Sequence, residues 1–228
     1  MNVTMAELIL EQVHYQYPKA KKETLKGVDA VFPAGKICSI VGQSGAGKST
    51  LLYLISGLDM PKSGRILLDG KELLARDLDT YRRGTVATIS QSYLLFPTRT
   101  ALENVLYPMQ LAKKDKKEAI AAASEYLLSV GIQKEVHDRL PSKLSGGEQQ
   151  RGAIARCLAA QSQIIAADEP TGNLDEENSN EVMKILTDLA HDQGKTVIIV
   201  THDRVLAEQT DLQYRLEYGK LEEIRRNV

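Results

Sequence analysis

The 228-residue chain predicts an α/β fold, and three observations carry that expectation. Short strand-like and helix-like stretches alternate along its length. A glycine-rich loop at residues 42–49 joins an apolar strand to a helix. A second apolar strand stops abruptly at two adjacent acids, Asp168 and Glu169, the kind of strand end where α/β sheets hold ligands.

Leu8, Leu10 and Val13 lead into Tyr15 and Tyr17, ahead of the loop Pro18-Lys19-Ala20-Lys21-Lys22. Val28, Ala30 and Phe32 alternate in a second strand that Pro33-Ala34-Gly35 stops, and the two form a small antiparallel N-terminal sheet. Ile37-Cys38-Ser39-Ile40-Val41 is a buried strand, residues 65–68 form a strand turned by Asp69-Gly70, and residues 86–89 form another. The middle is helical. Thr100-Ala101-Leu102-Glu103 is a capping box, Asp115 caps a helix through Ala119 to Val130 with Gly131 as its stop, and Ser145-Gly146-Gly147-Glu148 is a further box. Residues 164–167 are a core strand, Asp175 caps a helix to about His191 ended by Gly194, and residues 197–200 are the next strand. Residues 212–224 close as a hairpin around Tyr218-Gly219. A helical insertion at about 92–145 thus interrupts the α/β core.

Composition excludes several classes. Apolar residues are 43% and charged residues 26%, which rules out intrinsic disorder and fibrous chains. The net charge of −1 gives no global basic footprint, so no nucleic-acid partner is expected. Two distant cysteines, Cys38 and Cys157, make no disulfide framework and point to a reducing compartment; both read as buried small hydrophobes. No apolar run approaches the roughly 18 residues of a spanning helix, and the first five residues do not read as a secretory signal. The chain is expected to be cytosolic or held at a membrane by another subunit. Lys113-Lys114-Asp115-Lys116-Lys117, Arg82-Arg83 and Arg225-Arg226 read as solvated surface, and His14, His137 and His191 show no metal-ligand spacing.

Gly42-Gln43-Ser44-Gly45-Ala46-Gly47-Lys48-Ser49 fits the phosphate-binding pattern G-x-x-x-x-G-K-[ST], in the strand–loop–helix setting the pattern requires. Its glycines let backbone N–H groups turn around phosphate oxygens, the helix start adds positive potential, Lys48 reaches the β/γ-phosphates, and Ser49 offers its hydroxyl to Mg2+. Thr50 follows as a further nucleotide-site residue. At the acidic strand end, neighbouring residues of a strand point to opposite sides. Asp168 is expected to face the Mg2+, and Glu169 a water in line with the γ-phosphate, as general base or water positioner.

Leu144-Ser145-Gly146-Gly147-Glu148-Gln149-Gln150-Arg151 crowns a second helix N-terminus with backbone amides. One nucleotide site does not need two such crowns, so two chains facing head to tail is the simplest account. On these motifs the chain closely resembles the ATP-binding-cassette (ABC) ATPases over essentially its whole length. The resemblance implies a P-loop NTPase (RecA-like) core with an N-terminal antiparallel β-subdomain and an inserted α-helical subdomain. Residues 1–91 and 158–228 form the core with the β-subdomain, and residues 92–157 the helical subdomain with its signature helix.

The same resemblance implies several roles. Tyr17 stacks on adenine, with Tyr15 as the rival. Gln91 ligands Mg2+ and reports to a transmembrane partner. Ser145, Gly146, Gly147 and Glu148 hold the nucleotide of the other copy, Asp175 meets the other subunit, and His202 contacts the γ-phosphate. ATP and Mg2+ are the implied cofactors. A second copy and a transmembrane permease are the implied partners, on the cytoplasmic side of the membrane. Gly57-Leu58-Asp59 with Pro61 and Ser63-Gly64, Ala101-Leu102-Glu103-Asn104-Val105, and Ala167 through Asp175 resemble most the lipoprotein-release and macrolide- or peptide-export ATPases, the LolD and MacB types. Ala87-Thr88-Ile89-Ser90 and Phe96 depart from the family pattern beside the partner-binding groove. No large C-terminal regulatory domain is expected.

The rival readings are a soluble ABC ATPase acting on DNA or ribosomes, and one that signals through a membrane partner. Only 97 residues separate Lys48 from Ser145, which leaves no room for the long coiled coils of chromosome-type members, and one cassette is present where ribosome-type members carry two.

Overall fold

The alternating N-terminal segments become sheet strands in the computed structural model, which describes residues 6–224. The readings on residues 1–5 and on Arg225-Arg226 lie outside that range. β1 (Leu8–Tyr15) pairs antiparallel with β2 (Leu25–Phe32), Leu8 opposite Phe32. The other edge of β1 pairs antiparallel with β4 (Ser63–Leu68), which turns through Asp69-Gly70 into the short β5 (Lys71–Glu72). The N-terminal sheet therefore has four strands in the order β2-β1-β4-β5, two more than the first pair alone suggests.

The second sheet has six strands. β3 (Ile37–Val41) lies between β8 (Thr196–Thr201) and β9 (Leu212–Glu217), parallel to both, and β7 (Ile164–Asp168) runs parallel to β8. β6 (Val86–Ser90) and β10 (Lys220–Glu223) are the edges, in the order β10-β9-β3-β8-β7-β6. Every residue of β3 and β8 is buried, as a parallel sheet covered on both faces requires. That is why these strands read as unbroken apolar runs and β1 and β2 as alternating ones.

The chain divides into two units: Met1–Thr88, Gln163–Glu169 and Leu186–Val228 form one, and Ile89–Ser162 with Pro170–Ile185 the other. The first has a core that includes Phe32, Leu54, Ile198 and Tyr214, and it contains α1 (Lys48–Ile55), α2 (Leu78–Gly84) and α7 (Arg204–Ala207). Sequence reasoning misses α2 and α7. The first buries only Tyr81, so it has no apolar period to detect, and the second is a single turn. Arg82, which reads as plain surface, donates to Gly57 O and pairs with Asp79, pinning α2 to the loop after α1.

The second unit packs α3 (Ala101–Leu111), α4 (Lys116–Ser129) and α5 (Gly146–Ala159), with buried Val105, Met109, Ala123, Leu127 and Ile154 between them. α6 (Glu176–His191) begins in this unit and ends in the first. The caps are those the sequence signals. Thr100 and Glu103 form a reciprocal box at 3.2 and 2.8 Å, and Asp115 accepts from Lys117 N and Glu118 N. Among the described residues no helix is long and apolar enough to cross a membrane.

Candidate active site

In the first unit, β3 ends at Val41 and α1 starts at Lys48, and residues 42–47 make the turn between them. Gly42 lies so close to β9 that a Cβ would sit 2.3 Å from Leu216 O. Gly47, at φ 105°, is the N-cap of α1 and offers no side chain to its first turn. The helix-start N–H groups are thus left for an anion. Lys48 Nζ donates to Gly42 O and Gln43 O at 2.8 and 3.1 Å, so the ammonium lies over its own loop. A cavity of ≈ 440 Å³ on one side of the loop is lined by Gly42, Gln43, His202, Arg204 and Arg215. Another of ≈ 520 Å³ is lined by Lys22, Lys26, Ser44, Gly45 and Tyr218.

Asp168 is the last residue of β7, and the Ser49 hydroxyl hydrogen-bonds its carboxyl. Burial pushes the Asp168 pKa above the usual carboxylate range. The Ser49 bond opposes that shift, the Glu169 charge adds to it, and the Lys48 charge opposes it.

Glu169 corrects the strand-alternation expectation. It is not a strand residue: β7 stops at Asp168, and Glu169 has φ 46°, in the left-handed region. Its N–H donates to Val200 O at 2.9 Å. The side chain is aimed by that turn and by two partners. His202 Nδ1 is 2.8 Å from Oε1, and Thr201 Oγ1 donates to Oε2 at 3.1 Å. The carboxylate is 15% exposed and the imidazole 71%. The result is an acid–histidine pair at the C-terminal ends of β7 and β8, with the histidine open to solvent.

Tyr15 and Tyr17 meet edge to face, centroids 5.1 Å apart. Tyr15 is 3% exposed, and its hydroxyl donates to Asp59 Oδ2. Tyr17 is 42% exposed, its hydroxyl 2.9 Å from Thr50 Oγ1 of α1.

The second unit carries the other predicted residues. Gln91 Nε2 is 3.3 Å from Asn173 Oδ1, and Asn173 Nδ2 donates back to Gln91 O at 3.1 Å. Ser145 Oγ accepts from Glu148 N at 3.2 Å while Glu148 Oε2 accepts from Ser145 N at 2.7 Å, so the α5 crown is a closed capping box. Asp175 Oδ1 accepts from Asn178 N at 2.8 Å at the start of α6, and these bonds hold the exposed carboxylate below the usual range.

A profile of the ABC transporter family matches residues 25–172. The uncharacterized ABC transporter ATP-binding protein YclH of Bacillus subtilis strain 168 is 40% identical over 94% of this chain and 95% of its own length. The lipoprotein-releasing system ATP-binding protein LolD of Aquifex aeolicus is 44% identical, over 87% of this chain and 89% of its own. The chain belongs to the ABC transporter family. Its fold also agrees with a dimeric structure of the ATP-binding cassette MJ0796 in a post-hydrolysis state bound to ADP and Pi, with a TM-score of 0.86 and 34% identity, covering 96% of this chain and 99% of that one. The sequence-level resemblance and the P-loop NTPase architecture are thereby established, and this ABC protein is an ATP-binding ATPase.

The residues present fit MgATP. The glycine loop and uncapped α1 start suit phosphate oxygens. The half-buried Asp168, disfavoured as an anion by burial and bonded to Ser49, suits a divalent cation beside it. Three contributors escape sequence reasoning. Thr201 stands just past the strand read at residues 197–200 and has no role assigned from sequence. Asp59 reads only as a subgroup marker, although its place in the Gly57-Leu58-Asp59 motif is a usable signal. Asn178 gives no signal beyond standing three residues after a helix cap, which is a common capping arrangement.

Proposed function

We propose that this ABC ATPase is the nucleotide-binding subunit of a LolD/MacB-type extrusion system, driving lipoprotein, peptide or drug-like cargo through a membrane permease from the cytoplasmic side. The observation that carries the catalytic part is the Glu169–His202 pair beside the glycine loop. The names of relatives such as LolD support the cargo class.

In this reading the loop amides and Lys48 hold the β- and γ-phosphates, and Lys48 exchanges its two loop carbonyls for phosphate oxygens. Tyr17 stacks on adenine, a role supported by its exposed ring and by the burial of Tyr15. Glu169 Oε orients the attacking water and accepts its proton, while His202 and Thr201 fix the carboxylate's rotamer. Ser49 and Asp168 would hold Mg2+, which would supply charge neutralisation at the phosphate oxygens. Gln91 is assigned as metal ligand and reporter to the permease on its family position alone. Two copies close head to tail, so that Ser145, Gly146, Gly147, Glu148 and Asp175 of one copy meet the nucleotide held by the other. The dimeric MJ0796 cassette supports this arrangement. Residues 92–157, with their capped helices, act as the helical subdomain that passes closure to the permease.

Capture of the tagged protein from detergent-solubilised native membranes tests the assignment. A co-purifying permease with few spans and a large extracytoplasmic domain is the expected result. A many-span permease with a solute-binding protein would make it an importer, and ribosomes or DNA without any membrane protein would end the transporter reading.

A further inference from the structure

The start of α6 is tied to the signature helix α5 by a side-chain network that ordinary helix capping does not require. An N-cap aspartate needs only one oxygen to accept from the backbone N–H three residues on, and Asp175 Oδ1 does so from Asn178 N at 2.8 Å. Here the Asn178 carboxamide adds a second grip. Its Nδ2 lies 2.9 Å from both Asp175 Oδ1 and Oδ2. Both carboxylate oxygens are thus engaged, although the group is exposed, and its rotation is removed.

Donating through Nδ2 turns the Asn178 carbonyl toward α5, where Arg151 Nη1 donates to Oδ1 at 3.1 Å. The same nitrogen also reaches Glu181 Oε2, one turn further along α6, at 2.5 Å. The Arg151 side chain is only 12% exposed, so it anchors from a fixed position. The carboxamide also fills the space over the signature glycine: a Cβ on Gly147 would lie 2.1 Å from Asn178 Oδ1 and 2.7 Å from its Cγ. Asn178 therefore touches the Asp175 carboxylate and an Arg151–Gly147 surface of α5 at once.

We propose that Asn178 is a positioning residue that locks Asp175 to the signature helix, so that Asp175 and the 145–148 crown meet the opposite copy's nucleotide as one rigid element. This rests on the head-to-tail sandwich reading above. Two contacts fixed relative to each other lose their freedom once, within the monomer, and leave less to be lost when the dimer closes.

The test is MgATP-driven dimerisation of the full chain in a Glu169→Gln background, followed by sedimentation. Nucleotide affinity of the dilute monomer (fluorescent ATP analogue) and the melting temperature are measured alongside. Asn178→Ala should weaken dimerisation about 10-fold, the loss expected of a hydrogen bond to a charged group, with monomer affinity and melting temperature unchanged. Asn178→Asp keeps an oxygen for Arg151 but sets a carboxylate against Asp175, so it should dimerise no better than Asn178→Ala. Undiminished dimerisation of either variant overturns the proposal. So does a loss that appears equally in monomer affinity or in melting temperature, which would make Asn178 a residue of the fold alone. Ser145→Arg serves as the control for the underlying reading: normal dimerisation of that variant sinks the sandwich itself, whereas its failure to dimerise beside an unaffected Asn178→Ala sinks only the role of Asn178.

Discussion

The two units of this protein prepare their polar groups in different ways. The first relies on backbone. Gly42 is pressed against β9, Gly47 sits at φ 105° and Glu169 at φ 46°, conformations that expose amide donors and aim a carboxylate. The second relies on side chains. Closed capping boxes at Thr100 and Ser145, a doubly held Asp175 and the Gln91–Asn173 pair make up its chemistry-bearing surface. A grip on phosphate needs many converging N–H groups, which only a bent backbone supplies. A surface that docks onto a partner, as proposed above for this unit, loses less freedom on binding when hydrogen-bond networks hold its side chains in advance.

That contrast can be broken by variants that act in one unit only. The largest effect expected is from Glu169→Gln: turnover should fall at least about 10²-fold while MgATP binding and dimerisation persist, measured by phosphate release and sedimentation. Near-normal hydrolysis would remove Glu169 from its role. Lys48→Ala should lower monomer affinity for ATP about 10-fold or more, as expected for charge-assisted phosphate contacts. Unchanged affinity would contradict the loop assignment. Tyr17→Ala should cost about 10-fold in ATP affinity, in line with base–aromatic stacking, and leave binding of inorganic tripolyphosphate unchanged. Tyr17→Trp gives a direct probe, because the chain contains no tryptophan, and its fluorescence should respond to adenine nucleotides.

Asp168→Asn sharpens the comparison through stability. The Asp168 pKa is raised by burial, so its favourable contribution is present below the unfolded pKa and is lost as pH rises through the folded one. The nucleotide-free Asp168→Asn variant should therefore melt higher than wild type at neutral pH, and the gap should close as the solution is acidified. It should also lose Mg2+-dependent ATPase activity. The smallest effect is expected in the second unit, where Gln150 is fully buried with neither amide atom hydrogen-bonded among the described residues. Gln150→Met should stabilise the protein by about 1 kcal/mol, a melting shift of about 2–4 °C for a chain of this size, measured by calorimetry.

Much of the fold was legible because local patterns and tertiary demands agree. The fully buried β3 and β8 are continuous apolar runs, the half-buried β1 and β2 alternate, and the caps of α3, α4 and α5 stand where Thr100, Asp115 and Ser145 place them. The four-stranded N-terminal sheet was only half legible, because the pairing of β4 with β1 joins segments some fifty residues apart. Cys38, which reads as a buried hydrophobe, lies in β3, and burial pushes its thiol pKa up to about 12.

By itself the sequence determined the phosphate-loop pattern, the acidic strand end and the family, because each is a contiguous string whose backbone requirements are local. Tertiary structure alone decided where side chains point. Glu169 is aimed by a left-handed turn and by Thr201 and His202 from the neighbouring strand end, not by strand alternation. Tyr17 rather than Tyr15 is open because Tyr15 is the last inward-facing residue of β1, packed in the core, whereas Tyr17 lies beyond the strand. Asn178 reaches Arg151 only because α5 and α6 bring residues 27 positions apart within a hydrogen bond. Direction and partnership depend on which chains lie side by side, and spacing along one chain does not encode that.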